Sequence, residues 1–307
     1  MGKISFVFPG QGSQYVGMGA DCYRKSDEAR RLFDQADEIL GYHLTSVCFS
    51  GPEEELRQTR NTQPAIFLHS FVVAALLGNS IRPDMAAGHS LGEYTALVVA
   101  GAIAFEDALR LVRVRGELMQ QAGEKDKGTM AAIIGLQSEV VEELCRKAAA
   151  AGIVQPANFN SPGQIVISGS VAGVHAAMEL ARQRGAKLVK ELVVSGAFHS
   201  PLMTTAKEGL KQALDATPIR DTRIPVYANV TAEPATAEKE IREMLYRQMT
   251  SPVQWERTVK NMRRDGADTF IEIGPGNVLQ GLVKRTEPAV EIKGYDTYTD
   301  IHDVVRQ

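Results

Sequence analysis

The residues that first suggest chemistry form the pattern GxSxG, present as GHSLG at positions 88–92. In many enzymes the serine of this pattern lies on a sharp turn between a strand and a helix, where its hydroxyl is exposed and the helix N-terminus faces developing negative charge. The turn forces an uncommon backbone conformation, so the positions two residues away must lack a Cβ atom. Apolar residues precede and follow the turn. This context favours a nucleophilic Ser90 over a serine that only caps a helix.

A serine hydroxyl is a weak nucleophile unless a neighbouring base removes its proton. Of the six histidines, His199 fits this role best, because it lies between a predicted strand end and a helix that begins at Pro201, where parallel sheets build their sites. His69 lies in an apolar helix and is interpreted as a core residue, whereas His89 should point to the other side of the serine turn. The remaining histidines lie in polar segments typical of a surface: His43, His175 and His302.

A full catalytic triad also needs a group that fixes the tautomer of the imidazole. Hydrolases with the GxSxG pattern place an Asp or Glu between the serine and the histidine in sequence. Glu179 and Glu191 precede His199, but both fit surface positions better. The lack of a convincing acid weakens the interpretation of the chain as a plain esterase.

One arginine falls on the apolar side of a helix predicted at residues 107–121. At about 100° per residue, Arg115 lies in the same arc as Leu111 and Leu118, while Arg113 lies opposite. A guanidinium cannot lose its charge, so a buried one must meet an anion. Two interpretations stay open: a salt bridge to a carboxylate of the protein, or a pair of parallel hydrogen bonds to a substrate carboxylate.

The glycine-rich loops do not match nucleotide-binding motifs. Gly10 and Gly12 follow a predicted strand, but the next glycine in the spacing is Gly17, which gives GxGxxxxG rather than GxGxxG. The chain has no GxxxxGK[ST] motif, and the segment GPG at 274–276 places a proline inside the would-be phosphate turn. We therefore expect no bound cofactor.

Composition excludes several classes of protein. The 307 residues suggest about two domains. The 34 basic and 37 acidic residues nearly balance, which argues against a nucleic-acid-binding protein. The three widely spaced cysteines exclude a disulfide framework and a CxxC zinc site. We expect a cytoplasmic protein without signal peptide, metal or membrane contact, because the N-terminus shows no leader pattern and apolar stretches fall far below the ~18 residues of a span.

Alternating strands and helices must position these residues. The outer segments predict a mostly parallel sheet flanked by helices, in a large α/β subdomain at 1–127 and 197–307. A charged linker at 124–128 leads into elements in the order βαββαβ, which is typical of a small ferredoxin-like subdomain, here inserted at 128–196. Strands are predicted at residues 4–8, 85–87, 130–134, 155–159, 165–168, 188–194, 225–229 and 269–273. Helices are predicted at residues 27–40, 93–100, 107–121, 138–150, 172–184, 201–216, 238–249 and 278–284, with a further apolar helix capped by Thr62 that holds Pro64 in its first turn and runs to residue 77.

Several segments, taken together and in order, resemble the malonyl-coenzyme A:acyl carrier protein transacylases. They are FPGQGSQ at 8–14, GHSLGEY at 88–94, RG at 115–116 and GAFHS at 196–200, extended by PANFNSPGQ at 156–164 and QMTSPVQW at 248–255. The resemblance covers nearly the whole chain. It implies a hydrolase-like α/β core with a ferredoxin-like insert, in agreement with the order of elements.

The resemblance also implies a role for each matching residue. Ser90 resembles the acylated nucleophile and His199 its base. The family uses a backbone carbonyl in place of the triad acid, and Gln248 matches the residue that supplies it. The backbone N–H groups of Gln11 and Leu91 would form the oxyanion hole.

Substrate choice is implied by three further matches. Arg115 matches the arginine that binds the malonyl carboxylate. Leu91 after the serine and Phe198 before the histidine resemble the malonyl-type pattern rather than the methylmalonyl-type one, so Phe198 is expected to contribute to acyl selectivity. The implied activity is ping-pong transfer of malonyl from malonyl-coenzyme A to acyl carrier protein, and we expect a monomer.

Alternatives to this hypothesis remain at the level of sequence. Discrete transacylases serve both fatty acid and polyketide synthesis, and we expect the fatty acid role. A serine esterase or thioesterase would not need Arg115. A binding module that keeps the fold without catalysis is the third hypothesis.

Overall fold

The computed structural model of the protein describes residues 2–305, which form two β-sheets surrounded by helices. The strands are β1 (Lys3–Phe8), β2 (Met85–Gly88), β3 (Gly128–Ile134), β4 (Val154–Ser161), β5 (Gln164–Ser170), β6 (Leu188–Glu191), β7 (Val226–Tyr227), β8 (Pro234–Ala235), β9 (Ala267–Ile273) and β10 (Glu291–Tyr295). The helices are α1 (Ala20–Lys25), α2 (Asp27–Leu40), α3 (Leu44–Ser50), α4 (Glu53–Leu56), α5 (Thr59–Leu77), α6 (Gly92–Val99), α7 (Phe105–Lys125), α8 (Ser138–Ala148), α9 (Val171–Gln183), α10 (Thr204–Ala216), α11 (Glu238–Gln248), α12 (Trp255–Arg264), α13 (Val278–Thr286) and α14 (Tyr298–Val305), with a 3-10 turn at Pro201–Met203.

The larger sheet has the strand order β10-β9-β1-β2-β7-β8 and is parallel except for β8. Alternate side chains of β1 enter different cores, because successive residues of a strand face opposite sides of the sheet. Phe6 and Phe8 pack with α5, α6 and α7, whereas Val7 packs with α12 and α13. Helices thus cover both faces, and the predicted mostly parallel sheet flanked by helices is confirmed.

The smaller sheet has the order β4-β5-β3-β6, and every neighbouring pair in it is antiparallel. Ile133 and Ile167 face α8 and α9 in a separate apolar cluster, while Met130 and Val166 face the core of the larger sheet. The predicted βαββαβ order is therefore present between β3 and β6.

Strand β4 connects the smaller sheet to the loop after α11. The N–H of Phe159 donates to the backbone oxygen of Val253 at 2.9 Å, and the N–H of Val253 donates to that of Ala157 at 2.8 Å. This short parallel bridge places β4 beside the chain segment that follows Gln248. Two segments that are far apart in sequence are thereby held side by side.

The predicted start of α5 is wrong. Thr62 is not the cap, because α5 begins at Thr59 and the N–H groups of Asn61 and Thr62 already bond to the backbone oxygen of Gln58. The Thr62 hydroxyl donates to the backbone oxygens of Leu56 and Gln58 instead of accepting from the helix. Pro64 consequently lies inside the helix rather than in its first turn.

Other boundaries also differ from the prediction. Helix α7 extends to Lys125, so only Asp126 and Lys127 separate it from β3 and the predicted linker at 124–128 is mostly helix or strand. Strand β6 ends at Glu191 rather than at residue 194. No helix was predicted where α12 lies, because charged residues surround its buried Trp255, Val259 and Met262. Also absent from the prediction are β8, β10, α14 and the short helices α1, α3 and α4.

Across residues 2–305, none of the helices is both long enough and apolar enough to cross a membrane.

Candidate active site

Ser90 lies on the tight turn that joins β2 to α6, with a backbone φ of 51°. Such left-handed φ values are strained for a residue with a side chain. The turn is possible because both flanking glycines are in close contact with backbone. A Cβ on Gly88 would overlap the backbone of Gly92, and a Cβ on Gly92 would overlap the backbone oxygen of Phe8. The glycine spacing that the sequence analysis used therefore has a steric cause in the structure.

The structure brings Ser90 and His199 together. The Ser90 hydroxyl lies 2.9 Å from Nε2 of His199, and Nδ1 of the same ring lies 2.9 Å from the backbone oxygen of Gln248. Donation from Nδ1–H to that carbonyl leaves Nε2 as the acceptor that faces the hydroxyl. Burial, together with the positive charge of Arg115, lowers the pKa of His199 to about 3. The ring is therefore neutral at physiological pH and able to accept a proton.

The backbone at His199 is also left-handed, with a φ of 57°. Gln155 on β4 holds this turn, because its Nε2 donates to the backbone oxygen of His199 at 2.8 Å and to that of Thr250 at 3.3 Å. One amide thus connects the histidine to the segment that follows Gln248.

Arg115 on α7 is fully buried, as its place in the apolar arc predicts. Its Nη1 donates to Oε1 of Gln63 at 2.6 Å, and its Nη2 donates to Oε1 of Gln248 at 2.9 Å and to the Ser90 hydroxyl at 3.1 Å. The guanidinium also lies 5.3 Å from the ring centre of Tyr94. Within residues 2–305 no carboxylate forms a salt bridge with it, so the interpretation as an internal ion pair does not match the structure.

Two amide side chains hold the backbone of Ser90. Its N–H donates to Oδ1 of Asn229 at 2.7 Å, and its carbonyl oxygen accepts from Nε2 of Gln248 at 2.9 Å. Asn229 also donates through Nδ2 to the backbone oxygen of Gly88 at 2.6 Å. The carboxylate of Glu93 accepts from both Gln248 and Asn229, and burial raises the pKa of Glu93 to about 7.

Beside Ser90 lies a cavity of about 110 Å³, between the loops that follow β1 and β2 of the larger sheet and strands β3 and β4 of the smaller one. It is lined by Gln11, Gln63, His89, Ser90, Leu91, Met119, Met130, Asn158, Leu192, Val194, Phe198 and His199. The backbone N–H groups of Gln11 and Leu91 have no acceptor among the described residues. They are therefore available to an oxygen atom that enters the cavity.

The other histidines lie outside the Ser90–His199 pair. Nε2 of His89 lies 2.8 Å from Oδ1 of Asn160, and Nε2 of the buried His69 lies 2.8 Å from Oδ1 of Asp296. The remaining three, together with Glu179 and Glu191, are at least partly exposed. In the part of the chain that the structure describes, no group of three or more His, Cys, Asp or Glu side chains is placed to hold a metal ion.

Sequence reasoning missed four polar residues of this site: Gln63, Glu93, Gln155 and Asn229. A signal was present for Gln63, because it lies in the apolar stretch of α5 just as Arg115 lies in an apolar arc. Glu93 was visible only as part of the extended motif. Gln155 and Asn229 carry no local signal, since their partners are distant in sequence.

Comparison with known proteins places the chain in a family. The family model described as "Acyl transferase domain" matches residues 5–298. A malonyl CoA-acyl carrier protein transacylase of Bacillus subtilis is 50% identical over 287 residues, which are 93% of this chain and 90% of the relative.

Solved structures agree with this assignment. An acyl carrier protein S-malonyltransferase from Vibrio cholerae matches with a TM-score of 0.95 and 41% identity, over 98% of this chain and 99% of that one. A malonyl-transacylase in complex with its type II polyketide synthase acyl carrier protein matches with a TM-score of 0.95 and 38% identity, over 99% of both chains. With its fold, its Ser90–His199 pair and these similarities, the chain belongs to the acyl transferase family.

Proposed function

We propose that this protein transfers the malonyl group from malonyl-coenzyme A to the phosphopantetheine thiol of an acyl carrier protein, through a malonyl ester on Ser90. The observation that carries the proposal is the position of a fully buried Arg115, without a carboxylate partner in residues 2–305, beside a paired serine and histidine. The names of the relatives support the same activity.

In the first half-reaction, Nε2 of His199 accepts the proton of Ser90 as the hydroxyl oxygen attacks the thioester carbonyl carbon. The carbonyl oxygen becomes an oxyanion that accepts hydrogen bonds from the N–H groups of Gln11 and Leu91. Loss of one such donor typically costs about 3 kcal/mol in activation free energy. When the intermediate collapses, the bond to sulfur breaks, and the coenzyme A thiolate takes the proton from His199.

In the second half-reaction, the carrier thiol gives its proton to His199 and attacks the malonyl ester. The ester bond breaks, and the Ser90 oxygen takes the proton back. The backbone carbonyl of Gln248 accepts from Nδ1–H in both halves and stabilises the transient imidazolium, in place of the missing triad acid.

Selectivity for malonyl follows from charge and shape. Arg115 would bind the free carboxylate of the malonyl group, since burial in a dry site strengthens a charge-assisted pair. Phe198 and Leu91 line the same cavity and would limit branching at the acyl group. No cofactor is required, because proton transfer and covalent catalysis by side chains complete both half-reactions.

The finer architecture belongs to the same proposal. Residues 1–127 and 197–307 would form a hydrolase-like subdomain, and residues 128–196 a ferredoxin-like one, in a monomeric cytoplasmic enzyme. The strand order β4-β5-β3-β6 with two helices on one face supports the ferredoxin-like assignment. Sedimentation analysis of the purified chain would test the monomer.

The pathway we favour is fatty acid synthesis. A polyketide role is the second candidate, because one similar structure is a malonyl-transacylase in complex with a type II polyketide synthase carrier protein. Transfer rates to carrier proteins of the two kinds, measured side by side, would separate the two roles.

Intact-protein mass spectrometry tests the acyl-enzyme. Incubation with malonyl-coenzyme A should produce a malonyl adduct that Ser90→Ala lacks. Ser26→Ala is the matched control, because Ser26 caps α2 and lies outside the site. Absence of an adduct in the unmodified protein contradicts the proposal.

Arg115→Ala separates a transferase from a neutral-ester hydrolase. We expect malonyl transfer to fall at least about 30-fold while acetyl transfer is retained better, since truncating one partner of a buried charge pair costs about 2–5 kcal/mol. Arg113→Ala removes the same charge two residues away and should keep malonyl preference. Unchanged acyl transfer in Arg115→Ala would favour the esterase alternative, which does not need Arg115.

A further inference from the structure

Glu93 is a buried carboxylate three residues after the nucleophile. Its side chain is 3% exposed and lies in the first turn of α6. Within residues 2–305 it forms no salt bridge, although burying a carboxylate is costly unless it is well hydrogen-bonded. Oε2 accepts from Nε2 of Gln248 at 2.8 Å and from the backbone N–H of Asn229 at 3.0 Å.

These two partners of Glu93 are the residues that hold both polar backbone groups of Ser90. Oδ1 of Asn229 accepts from the Ser90 N–H at 2.7 Å, and Nε2 of Gln248 donates to the Ser90 carbonyl at 2.9 Å. The carboxylate of Glu93 is therefore hydrogen-bonded to both residues that contact the Ser90 backbone. The strained φ of 51° at Ser90 makes such support relevant, because strained backbone persists only where its surroundings over-determine it.

Glu93 also favours one orientation of the Gln248 amide, the same one that the Ser90 carbonyl and Arg115 favour. An ionised carboxylate only accepts hydrogen bonds, so the NH₂ group of Gln248 must face Glu93. The amide oxygen then faces Arg115, whose Nη2 donates to it at 2.9 Å. With the amide reversed, its NH₂ group would face the donor groups of the guanidinium, and that contact would be lost.

We propose that Glu93 is a positioning residue for acyl transfer, whose carboxylate orients Gln248 and Asn229 and thereby holds the Ser90 turn and the Arg115 guanidinium in their working geometry. This role rests on the proposed function, because it concerns binding of the malonyl carboxylate. Glu93 does not touch the substrate and takes no part in proton transfer.

The test is Glu93→Gln, which keeps the shape and removes the charge. Assays at pH 8 keep the carboxyl of the unmodified protein ionised, because its pKa is about 7. We expect the preference for malonyl over acetyl to fall about tenfold, since a neutral amide is a weaker acceptor than a carboxylate and holds Gln248 and Asn229 less firmly. An unchanged preference overturns the proposal.

Glu272→Gln is the matched control for burial of a neutralised carboxylate. Glu272 is 1% exposed and accepts from the N–H groups of Leu279 and Gln280 at the start of α13. This variant should lose stability in chemical denaturation yet keep the malonyl preference. An equal loss of preference in Glu272→Gln would mean that the effect is one of general stability, which also overturns the proposal.

A double-mutant cycle checks that Glu93 acts through Gln248. Gln248→Leu keeps the backbone carbonyl that orients His199 and removes the amide. In that background Glu93→Gln should change the malonyl preference less than twofold, and additive effects contradict the proposal. If Glu93→Gln does not fold, the test is Gln248→Leu alone, which should lower the malonyl preference. An unchanged preference in that variant would contradict the proposal.

The experiments distinguish failure of the positioning role of Glu93 from failure of the proposed function. The malonyl adduct and carrier transfer are measured first on the unmodified protein. Transfer without any effect of Glu93→Gln rejects only the positioning role, whereas a lack of transfer rejects the proposed function itself.

Discussion

The turns that carry Ser90 and His199 reach similar backbone geometry by different means. Both residues have left-handed φ values, 51° and 57°. At Ser90 the turn closes locally, because Gly88 and Gly92 let backbone segments approach where no Cβ would fit. At His199 the constraint comes from distant residues: the backbone carbonyl of Gln248 holds the ring, and the Gln155 side chain holds the backbone.

This difference explains why Ser90 is easier to recognise from the sequence than His199. Local close contact demands particular residue types at fixed spacing, so the nucleophile leaves a pattern in the sequence. The turn at His199 is held mainly by Gln155 and by the Gln248 carbonyl, so the residues that fix it are spread over distant segments of the sequence. The two turns should therefore fail in different ways when altered.

Gly88→Ala disrupts the Ser90 turn, which closes locally, and should have the largest effect on stability. The added methyl group would overlap the backbone of Gly92. We expect a loss of at least about 4 kcal/mol in the free energy of unfolding, which belongs to the exceptional class of substitutions. Urea denaturation measures it.

Gly281→Ala is the control for Gly88→Ala. A Cβ at Gly281 meets nothing within 4 Å, and the residue lies within α13. We expect a gain of about 0.5–1 kcal/mol from helix propensity. Unaltered stability in Gly88→Ala would contradict the steric explanation of the serine turn.

Gln155→Ala removes a long-range contact that holds the His199 turn, and it should have a smaller effect on stability. Loss of the amide frees the backbone oxygens of His199 and Thr250, at a cost of about 1 kcal/mol. The acylation rate of Ser90 should nevertheless fall about tenfold, because a small displacement of a base slows proton transfer. Rapid-mixing mass spectrometry with malonyl-coenzyme A measures this rate.

Gln164→Ala tests whether the Gln155 effect is specific. Gln164 lies at the start of β5, where its side chain accepts from Arg285 rather than from the histidine turn. Its acylation rate should match that of the unmodified protein. Equal rates in both variants would remove the distinction between the two turns.

The smallest expected effect is a change in the pKa of His199, at the second of the two turns. The pKa of His199 is lowered to about 3 from an ordinary value of 6.5, first by burial and then by the charge of Arg115. Arg115→Ala removes a positive charge that disfavours the protonated ring, so the pKa should rise. NMR titration of the imidazole measures it, and Arg113→Ala should leave it in place. A pKa that stays put or falls in Arg115→Ala contradicts this explanation.

Local patterns predicted much of the fold. Bounded apolar runs located the central strands, and helical periodicity placed Arg115 inside the protein, where it is fully buried. The start of α5 was misplaced because Thr62 and Pro64 resemble a cap and first turn. Helix α12 was missed because its buried face is narrow and its remainder is charged.

In the site, too, the residues fixed by local contacts could be predicted from the sequence, and most of those fixed by distant contacts could not. Ser90 and its neighbours follow from steric demands that are local in sequence. The contacts of Glu93 span 136 residues to Asn229 and 155 residues to Gln248, so no periodicity or spacing could reveal them. The roles of Gln11, Leu91 and Phe198 came from resemblance alone and stay predictions.

The small cavity beside Ser90 has a consequence for chain length. Its volume of about 110 Å³ is below the roughly 150 Å³ of an engineered pocket that accommodates benzene. A group of a few heavy atoms fills it, whereas an elongated saturated tail would have to displace Met119 or Phe198 from the wall. We therefore expect long acyl chains to be accommodated less well than short ones, which transfer rates along a series of acyl chain lengths would measure.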